Sequence, residues 1–282
     1  HELTRESLFE EQKAEVERGT IIGEISDYEA NPAMYIQDLT QQILFHGTYA
    51  ARSIGGTKKT VEGITREDLF NFYKSKISSS NMSIVVAGDV GFEDIRNTFN
   101  ELFIDGVLPE INSKKSDLLI GEHEKSTIKI YKDTDQVYMG FSFLTCPYVN
   151  SDIDSLEVVR MIIGGGFSSS LFRKLRTENG LVYSIDVSSD NSFDRGHFSV
   201  ITSTSKDRVQ KVIDVLVEEF KRLNLGEISE DELLLAKNKM IKSKIRQMQT
   251  SGSWVSFHLN DIVFNPESPK DLSDWLNRVE NI

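Results

Sequence analysis

The sequence predicts an α+β protein of two domains, in which helices pack on one face of an antiparallel sheet. Its length of 282 residues fits two domains at about 100–200 residues each. Short β-branched strand patterns cluster between long helical patterns, without the strict strand–helix alternation that indicates a parallel sheet. The composition is 39% hydrophobic and 27% charged, with 5 Pro and 18 Gly. It is typical of a globular protein and excludes disordered and collagen-like chains.

Charge and cysteine content exclude further classes of protein. The 32 Lys and Arg against 44 Asp and Glu leave a net charge of −12, which repels phosphate backbones and argues against a nucleic-acid partner. The longest uncharged stretch, Gln136–Ser151, is interrupted by polar residues and Pro147, and falls short of the ~20 apolar residues of a membrane span. The single cysteine, Cys146, allows no intrachain disulfide, which favours a reducing compartment, or at least a fold that needs no disulfide. The expected location is the cytoplasm.

The first part of the chain predicts mostly helices. Ala14, Ile21 and Ile25 form one side of a long helix over Glu6–Tyr28, which the Asn31-Pro32 pair ends or kinks. Thr65, followed by acidic residues, is a typical helix start. The other elements predicted here are helices over Met34–Phe45, Thr65–Lys76 and Phe92–Phe103, and a buried strand over Met82–Gly88.

A polar, Gly- and Pro-containing segment over 106–125 predicts the linker between domains at 1–105 and 126–282. The second domain is predicted to contain most of the strands. They cover Ile128–Tyr131, Val137–Leu144, Val182–Ser188 and His197–Thr204, and the helices cover Asp152–Ile163, Leu171–Arg176, Val209–Leu223 and Glu230–Gln249. Another apolar-periodic segment follows near the end of the chain.

No zinc motif with two histidines is present. The residues His1-Glu2-Leu3-Thr4-Arg5 begin like H-E-x-x-H, but Arg5 stands where the second imidazole is needed to grip zinc from one helix face. The other four histidines occur singly. A single histidine is more often a surface or core residue than a ligand.

Glu10, Glu17 and Glu24 repeat every seven residues, so that they share one stripe of the first predicted helix. The stripe flanks the apolar side, where an unpaired charge is costly. Two interpretations are open. The carboxylates form a solvated edge with Lys or Arg partners, or one of them binds a metal with a second carboxylate in support.

Two further motifs lie in the second domain. Gly164-Gly165-Gly166-Phe167-Ser168-Ser169-Ser170 lacks the Lys-Ser/Thr of a phosphate loop, so a loop with close backbone contacts is the better interpretation. Arg176 and Tyr183 flank Asn179-Gly180, and a turn there would bring both side chains to one edge. Together they can donate hydrogen bonds to a carbonyl oxygen that gains negative charge, although a purely structural role is the alternative.

These residues carry a resemblance to a known family. Glu17-Arg18-Gly19-Thr20-Ile21-Ile22-Gly23-Glu24-Ile25 resembles the segment that follows the zinc motif in the M16 (pitrilysin-type) metallopeptidases, which include mitochondrial processing peptidase and insulin-degrading enzyme. Gly164–Phe172 and Leu175–Tyr183 resemble a stretch of that family's second domain, and Ser83–Gly88 fits a core strand late in its first domain. The match runs in order across nearly the whole chain.

The resemblance implies a fold, an activity and roles for four residues. The fold is two related α+β domains that close on an extended peptide, and the activity is zinc-dependent endopeptidase. Glu24 matches the third zinc ligand, Glu17 matches a second carboxylate near the metal histidines, and Arg176 and Tyr183 match the pair that contacts the substrate carbonyl. The expected partners are a peptide, bound as an added strand, and a second subunit in a homo- or heterodimer. The mitochondrial matrix becomes the alternative location.

One departure qualifies the resemblance. The family's H-x-x-E-H motif supplies two zinc histidines and the general base, and it does not occur in these 282 residues. We therefore expect that the chain lacks the N-terminal part of the first domain and the end of the second, and that alone it does not hold catalytic zinc. The rival hypothesis is a non-catalytic M16-like core or scaffold subunit that binds a partner protein.

Overall fold

The computed structural model describes residues 7–78, 81–103, 126–265 and 271–282. In chain order, the elements are α1 (Glu11–Ala30), α2 (Pro32–Leu44), α3 (Lys58–Gly63), α4 (Arg66–Lys76), α5 (Phe92–Phe103), β1 (Val137–Thr145), α6 (Ile153–Gly164), a π-helical turn (Phe172–Glu178), β2 (Ile185–Asn191), β3 (Gly196–Thr204), α7 (Val209–Asn224), α8 (Glu230–Gln247), α9 (Ser251–Phe264) and α10 (Leu272–Glu280). Short 3-10 turns cover Tyr49–Ala51 and Lys206–Arg208. The α+β class predicted from the sequence is confirmed.

The chain forms two compact units. The first contains the described parts of His1–Ala30, Ser53–Asp117 and Thr250–Val263, and the second contains those of Asn31–Arg52, Leu118–Gln249 and Phe264–Ile282. The predicted linker over 106–125 lies outside the described residues. The division into domains at 1–105 and 126–282 remains a prediction. The grouping by contacts differs from it, because it assigns α2 to the second unit and most of α9 to the first.

Local capping explains two helix ends that the sequence predicts. Asn31 caps α2, where its side chain accepts a hydrogen bond from the Ala33 backbone N–H at 3.0 Å, and Pro32 follows at the first helical position. Thr65 caps α4. Its hydroxyl accepts from the Asp68 N–H at 3.1 Å, and the Asp68 carboxylate accepts from the Thr65 N–H at 2.8 Å. The hydrogen bonds from the Thr65 side chain and backbone lower the pKa of Asp68.

The second unit contains a three-stranded antiparallel sheet in the order β1–β3–β2. Val137 pairs with Thr204 and Ile185 pairs with Thr202. The strand predicted over Val182–Ser188 begins three residues later than expected. The backbone that precedes β2 instead accepts hydrogen bonds from threonine side chains of β3. Thr202 Oγ1, for example, donates to the Ser184 carbonyl at 2.7 Å.

Helices lie against both faces of this sheet. One face carries the main core, in which α6, α7 and the π-helical turn pack on the strands around Val200 and Leu175, both fully buried. Gly140 of β1 points to the other face, where α2 packs. A Cβ atom built on Gly140 would lie 2.3 Å from Thr40 Cγ2 of that helix, so only glycine permits this close approach.

A second cluster joins α6 to α8 and α10. Its buried members include Val158, Ala236 and Val279. The contact is reinforced by an ion pair between Arg278 Nε and Asp154 Oδ2 at 2.7 Å. The helix α6 therefore contributes to two hydrophobic clusters, one against the sheet and one against the C-terminal helices.

Two predicted strands are wrong. Met82–Gly88 and Ile128–Tyr131 have no regular secondary structure, and neither pairs with another strand in the described ranges. Ile84 and Val86 are 49% and 52% exposed, and Tyr131 is 87% exposed. The prediction used β-branched composition, but a strand also needs a neighbour that completes its backbone hydrogen bonds.

None of the helices in the described ranges combines the length and apolar composition that crossing a membrane requires.

The packing of α2 on β1 predicts the effect of a Gly140→Ala substitution. The added methyl would overlap Thr40 Cγ2, so we expect a loss of about 1–3 kcal/mol in the free energy of unfolding, as is usual for overpacking. Thr40→Ser removes that methyl and keeps the hydroxyl, so the double variant should recover part of the loss. Urea denaturation of the two single variants and the double variant measures this coupling. Full stability of Gly140→Ala would contradict the packing of α2 on this strand.

Candidate functional site

The first unit contains a groove along α1 that includes both predicted acidic site residues. Glu17 and Glu24 line a groove of about 840 Å³, and both side chains are exposed to solvent. Glu10, the third member of the stripe, also lines the groove and pairs with Lys13 Nζ at 3.2 Å. All three carboxylates thus line the groove, and Glu10 has the lysine partner that the solvated-edge interpretation predicts.

The walls of the groove are mostly apolar. They are formed by residues of α1, of the segment before it, and of the loop and helices that follow residue 53, namely Leu8, Phe9, Ala14, Ile21, Ile54, Val61, Ile64 and Leu69. Two long-range hydrogen bonds fix this arrangement. Arg18 Nη2 donates to the Ile64 carbonyl at 2.7 Å, and Arg66 Nε donates to the Phe9 carbonyl at 2.8 Å. The two carboxylates therefore border an apolar groove with a fixed backbone.

The donor set in this groove fits one position in a metal site, and no more. Glu17 and Glu24 are separated by two helical turns, about 10.5 Å along the helix axis, so one ion is not naturally shared between them. In the described parts of the chain, no three His, Cys, Asp or Glu residues come together as a metal site. A structural or catalytic zinc needs three or four protein ligands, which Glu17 and Glu24 alone do not provide.

The second unit brings Arg176 and Tyr183 into contact. Arg176 lies on the π-helical turn Phe172–Glu178, and its Cζ atom lies 5.5 Å from the centroid of the Tyr183 ring. The same guanidinium lies 5.2 Å from the centroid of the Phe172 ring, within the range of a cation–π contact. Tyr183 is 75% exposed. Both polar groups are thus accessible at one edge of the unit, as the spacing across Asn179-Gly180 predicts.

A tight turn between the two residues is held by backbone hydrogen bonds. The N–H of Gly180 donates to the Arg176 carbonyl at 3.1 Å, and the N–H of Leu181 donates to the Leu175 carbonyl at 2.8 Å. Gly180 has φ +57, a left-handed conformation that glycine adopts without strain. Arg208 Nη1 donates to the Gly180 carbonyl at 2.7 Å. These contacts fix the distance between the helical turn and the start of the sheet.

Glu178 is the partner that a purely structural role for Arg176 would require. In the structure, Glu178 Oε1 instead accepts from Arg173 Nε at 3.0 Å. The Arg176 guanidinium lies against two aromatic rings, and the residue is exposed to solvent. The geometry therefore permits the donor role that the sequence suggests.

The glycine-rich segment is a packing element. A Cβ atom on Gly164 would lie 2.1 Å from Val187 Cβ, so the end of α6 approaches β2 very closely. Gly166 has φ +108, and Ser169 and Ser170 are buried. Lys239 of α8 donates to Ser168 Oγ. These contacts agree with the expected close backbone approach, and the phosphate-loop alternative gains no support.

A network of buried and half-buried charges, which is not among the predicted features, lies beneath the turn. Lys174 Nζ lies 2.5 Å from Glu219 Oε2, and Arg222 Nη2 lies 2.7 Å from Glu219 Oε1. Arg222 also pairs with Glu232 at 3.0 Å. The Glu219 side chain is 0% exposed. Burial would raise its pKa, but hydrogen bonds from Arg222 and Lys174 outweigh that effect and lower the pKa to about 2.

A signal for this buried carboxylate was present in the sequence. Val212, Leu216 and Glu219 follow at helical spacing, and the first two are core residues. A glutamate on the apolar side of a helix requires a cationic partner. Arg222 lies three residues later, on the same helix, whereas Lys174 is 45 residues away in the sequence and no local pattern connects it with Glu219.

Comparisons with known proteins agree on one family. Residues 63–240 match the family described as the peptidase M16 inactive domain. An uncharacterized zinc protease of Rickettsia bellii is 25% identical over 283 residues, which cover 99% of this chain and 67% of that protein. A Helicobacter pylori protein named a non-peptidase homolog is 26% identical over 234 residues, which cover 80% of this chain and 53% of that protein.

A solved structure supports the same fold. The crystal structure of a peptidase M16 inactive domain from Pseudomonas fluorescens matches with a TM-score of 0.85 at 18% identity, covering 99% of this chain and 66% of that one. This likeness shows the fold. The chain spans about two thirds of the length of the Rickettsia and Pseudomonas proteins and about half of the Helicobacter protein.

The ion pairs of Glu219 predict a specific loss of stability in acid. The native pKa of Glu219 is about 2, below the ordinary value of 4.5, so its contribution is present above about pH 4.5 and is lost as the pH falls towards 2. In Glu219→Gln this dependence is absent. We expect the stability difference between wild type and variant to shrink by about 2 kcal/mol between pH 5 and pH 3.

Urea denaturation at several pH values measures this difference. Glu218→Gln is the matched control, because Glu218 is the exposed neighbour on the same helix and its substitution changes the net charge equally. Parallel stability curves for wild type and Glu219→Gln across this pH range would contradict the ionised, buried state of Glu219.

Proposed function

Because the chain belongs to the M16 peptidase family, we propose that it forms part of a zinc-dependent endopeptidase that hydrolyses extended peptides. The observation that carries this proposal is the exposed contact between Arg176 and Tyr183, whose ring centroid and Cζ atom lie 5.5 Å apart. A turn with a left-handed glycine keeps two hydrogen-bond donors together at an open surface. This is the arrangement that a developing negative charge on a peptide carbonyl oxygen requires.

In this proposal, the acidic groove of the first unit supplies part of a metal site. Glu24 would hold zinc as a carboxylate ligand, and Glu17 would orient the other ligands from one side of the same helix. Zinc, when bound in a complete enzyme, would supply polarisation of the peptide carbonyl and activation of water. The histidines and the general base would come from an H-x-x-E-H segment, which these 282 residues do not contain. Exposure of Glu17 and Glu24 to the groove supports these roles.

The second unit positions the peptide in this proposal. Arg176 and Tyr183 donate hydrogen bonds to the carbonyl oxygen at the scissile bond. The strand β2 begins at Ile185, two residues after Tyr183, and it is an edge strand of the described sheet. A peptide that adds to this edge through backbone hydrogen bonds would run past both donors. Such pairing would recognise the peptide backbone and favour extended substrates.

A non-catalytic M16-like subunit that binds a partner protein is the second candidate. The specific observation in its favour is the similarity to the Helicobacter protein named a non-peptidase homolog. A scaffold needs the packing contacts of the turn. It does not need the two carboxylates in the groove or the exposed pair of donors. Zinc content and peptide cleavage distinguish the two candidates.

The zinc site predicts different effects for the two carboxylates. In an enzyme completed with an H-x-x-E-H segment, Glu24→Gln should lower zinc occupancy more than Glu17→Gln. Loss of a supporting carboxylate typically costs about 10–100-fold in metal affinity or activity, and loss of a direct ligand costs more. Elemental analysis of dialysed protein measures the occupancy. The present chain without that segment should retain little zinc and cleave no peptide. Full occupancy in completed Glu24→Gln would remove Glu24 from the metal.

The donor pair predicts a loss of turnover without a loss of stability. In the completed enzyme, Arg176→Ala and Tyr183→Phe should each lower kcat by about 10²–10³-fold, as is typical when one oxyanion donor is lost. Both side chains are exposed, so the melting temperature should change little. The control is Arg173→Ala, which removes a charge from the same turn but breaks only the pair with Glu178. Unchanged kcat in both donor variants would show that Arg176 and Tyr183 do not stabilise the carbonyl oxygen.

A further inference from the structure

The π-helical turn that carries Arg176 is tied to the interior by one lysine. Lys174 lies two residues before Arg176 on this turn. Its ammonium lies 2.5 Å from the carboxylate of Glu219, which is 0% exposed. Lys174 itself is 30% exposed, so its side chain runs from the surface into the core. The Lys174–Glu219 pair thus connects an exposed functional turn to a buried charge.

The buried carboxylate is fixed independently of the turn. Arg222, on the same helix as Glu219, donates from Nε at 3.1 Å and from Nη2 at 2.7 Å. The third nitrogen, Nη1, donates to the Glu227 carbonyl at 2.6 Å and to Glu232 at 3.0 Å. The guanidinium therefore connects Glu219 of α7 with Glu232 at the start of α8. Lys174 extends this network of ion pairs to the π-helical turn.

Backbone contacts connect the position of Lys174 with the positions of Arg176 and Tyr183. Its carbonyl accepts from Asn179 Nδ2 at 2.7 Å, which fixes the Asn179-Gly180 corner. The next residue, Leu175, is fully buried, and its carbonyl accepts from the N–H of Leu181 at 2.8 Å. A displacement of Lys174 would therefore move the corner between the helical turn and the segment that leads to Tyr183.

We propose that the Lys174–Glu219 ion pair is a positioning device that keeps Arg176 and Tyr183 in contact and correctly spaced for a peptide carbonyl. The inference rests on the proposed function for the peptide contact, whereas the effect on the Arg176–Tyr183 geometry stands by itself. A single turn of π-helix is uncommon and occurs frequently at functional sites. Residues two apart lie on opposite sides of a helical turn, so Lys174 reaches towards the buried Glu219 while Arg176 is exposed to solvent.

The test compares Lys174→Met with two other variants of the full 282-residue chain. Methionine keeps most of the aliphatic stem and removes the charge, and Glu219 retains Arg222 as a partner. Lys174→Arg restores a cation and is the conservative rescue. Arg173→Met is the matched control, because it removes one charge from the neighbouring position of the same turn, where the partner is the exposed Glu178.

Two measurements are made on each protein. Fluorotyrosine labelling followed by ¹⁹F NMR reports the environment of the Tyr183 ring among the 8 tyrosines, with its signal assigned by Tyr183→Phe. Titration with an unstructured 20-residue peptide reports affinity. In Lys174→Met we expect the Tyr183 signal to shift or broaden and the peptide affinity to fall at least about tenfold, as expected for misplaced contact groups. Lys174→Arg and Arg173→Met should resemble wild type in both measurements.

The outcomes separate this inference from the proposed function. An unchanged Tyr183 signal in folded Lys174→Met would overturn the positioning role. A changed signal together with no peptide binding by wild type would support the positioning role and count against the proposed function. If Lys174→Met fails to fold, Glu219→Gln weakens the same pair from the other side. A Tyr183 signal like that of wild type in Glu219→Gln would then overturn the inference.

Discussion

The second unit depends on one electrostatic constraint, which is the neutralisation of a fully buried carboxylate. Glu219 lies inside the core, and an uncompensated charge there would be strongly destabilising. Its two cations come from different places. Arg222 is local, on the same helix, while Lys174 comes from the π-helical turn, 45 residues away in sequence. Satisfying this charge therefore fixes the turn on the core, and the turn carries the exposed donor Arg176.

Glycines allow close packing and a tight turn in the same unit. Gly164 ends α6 so close to Val187 of β2 that a larger residue at position 164 would overlap the valine side chain. Gly180 turns the chain in a left-handed conformation between the helical turn and the sheet. As a result, a buried framework presents Arg176 and Tyr183 to solvent. Rigid support beneath exposed donors is what preorganised stabilisation of charge requires.

The first unit contributes different chemistry. Its long helix α1 presents Glu17 and Glu24 to an apolar groove whose backbone is held by Arg18 and Arg66. Two carboxylates two turns apart on one helix are suited to one ligand position and one supporting position, and two histidines are needed to complete a catalytic zinc site. Glu17 and Glu24 thus lie in the first unit, whereas Arg176 and Tyr183 lie in the second.

The sequence by itself determined the features that depend on neighbouring residues. The helix boundary at Asn31-Pro32, the capped start at Thr65 and the approach of Arg176 to Tyr183 across a glycine turn all follow from local chemistry. Only the tertiary structure decided that Met82–Gly88 has no strand partner in the described ranges, and that Lys174 meets Glu219. Ladder pairing and the neutralisation of buried charge join residues that are distant in sequence, so no local pattern encodes them.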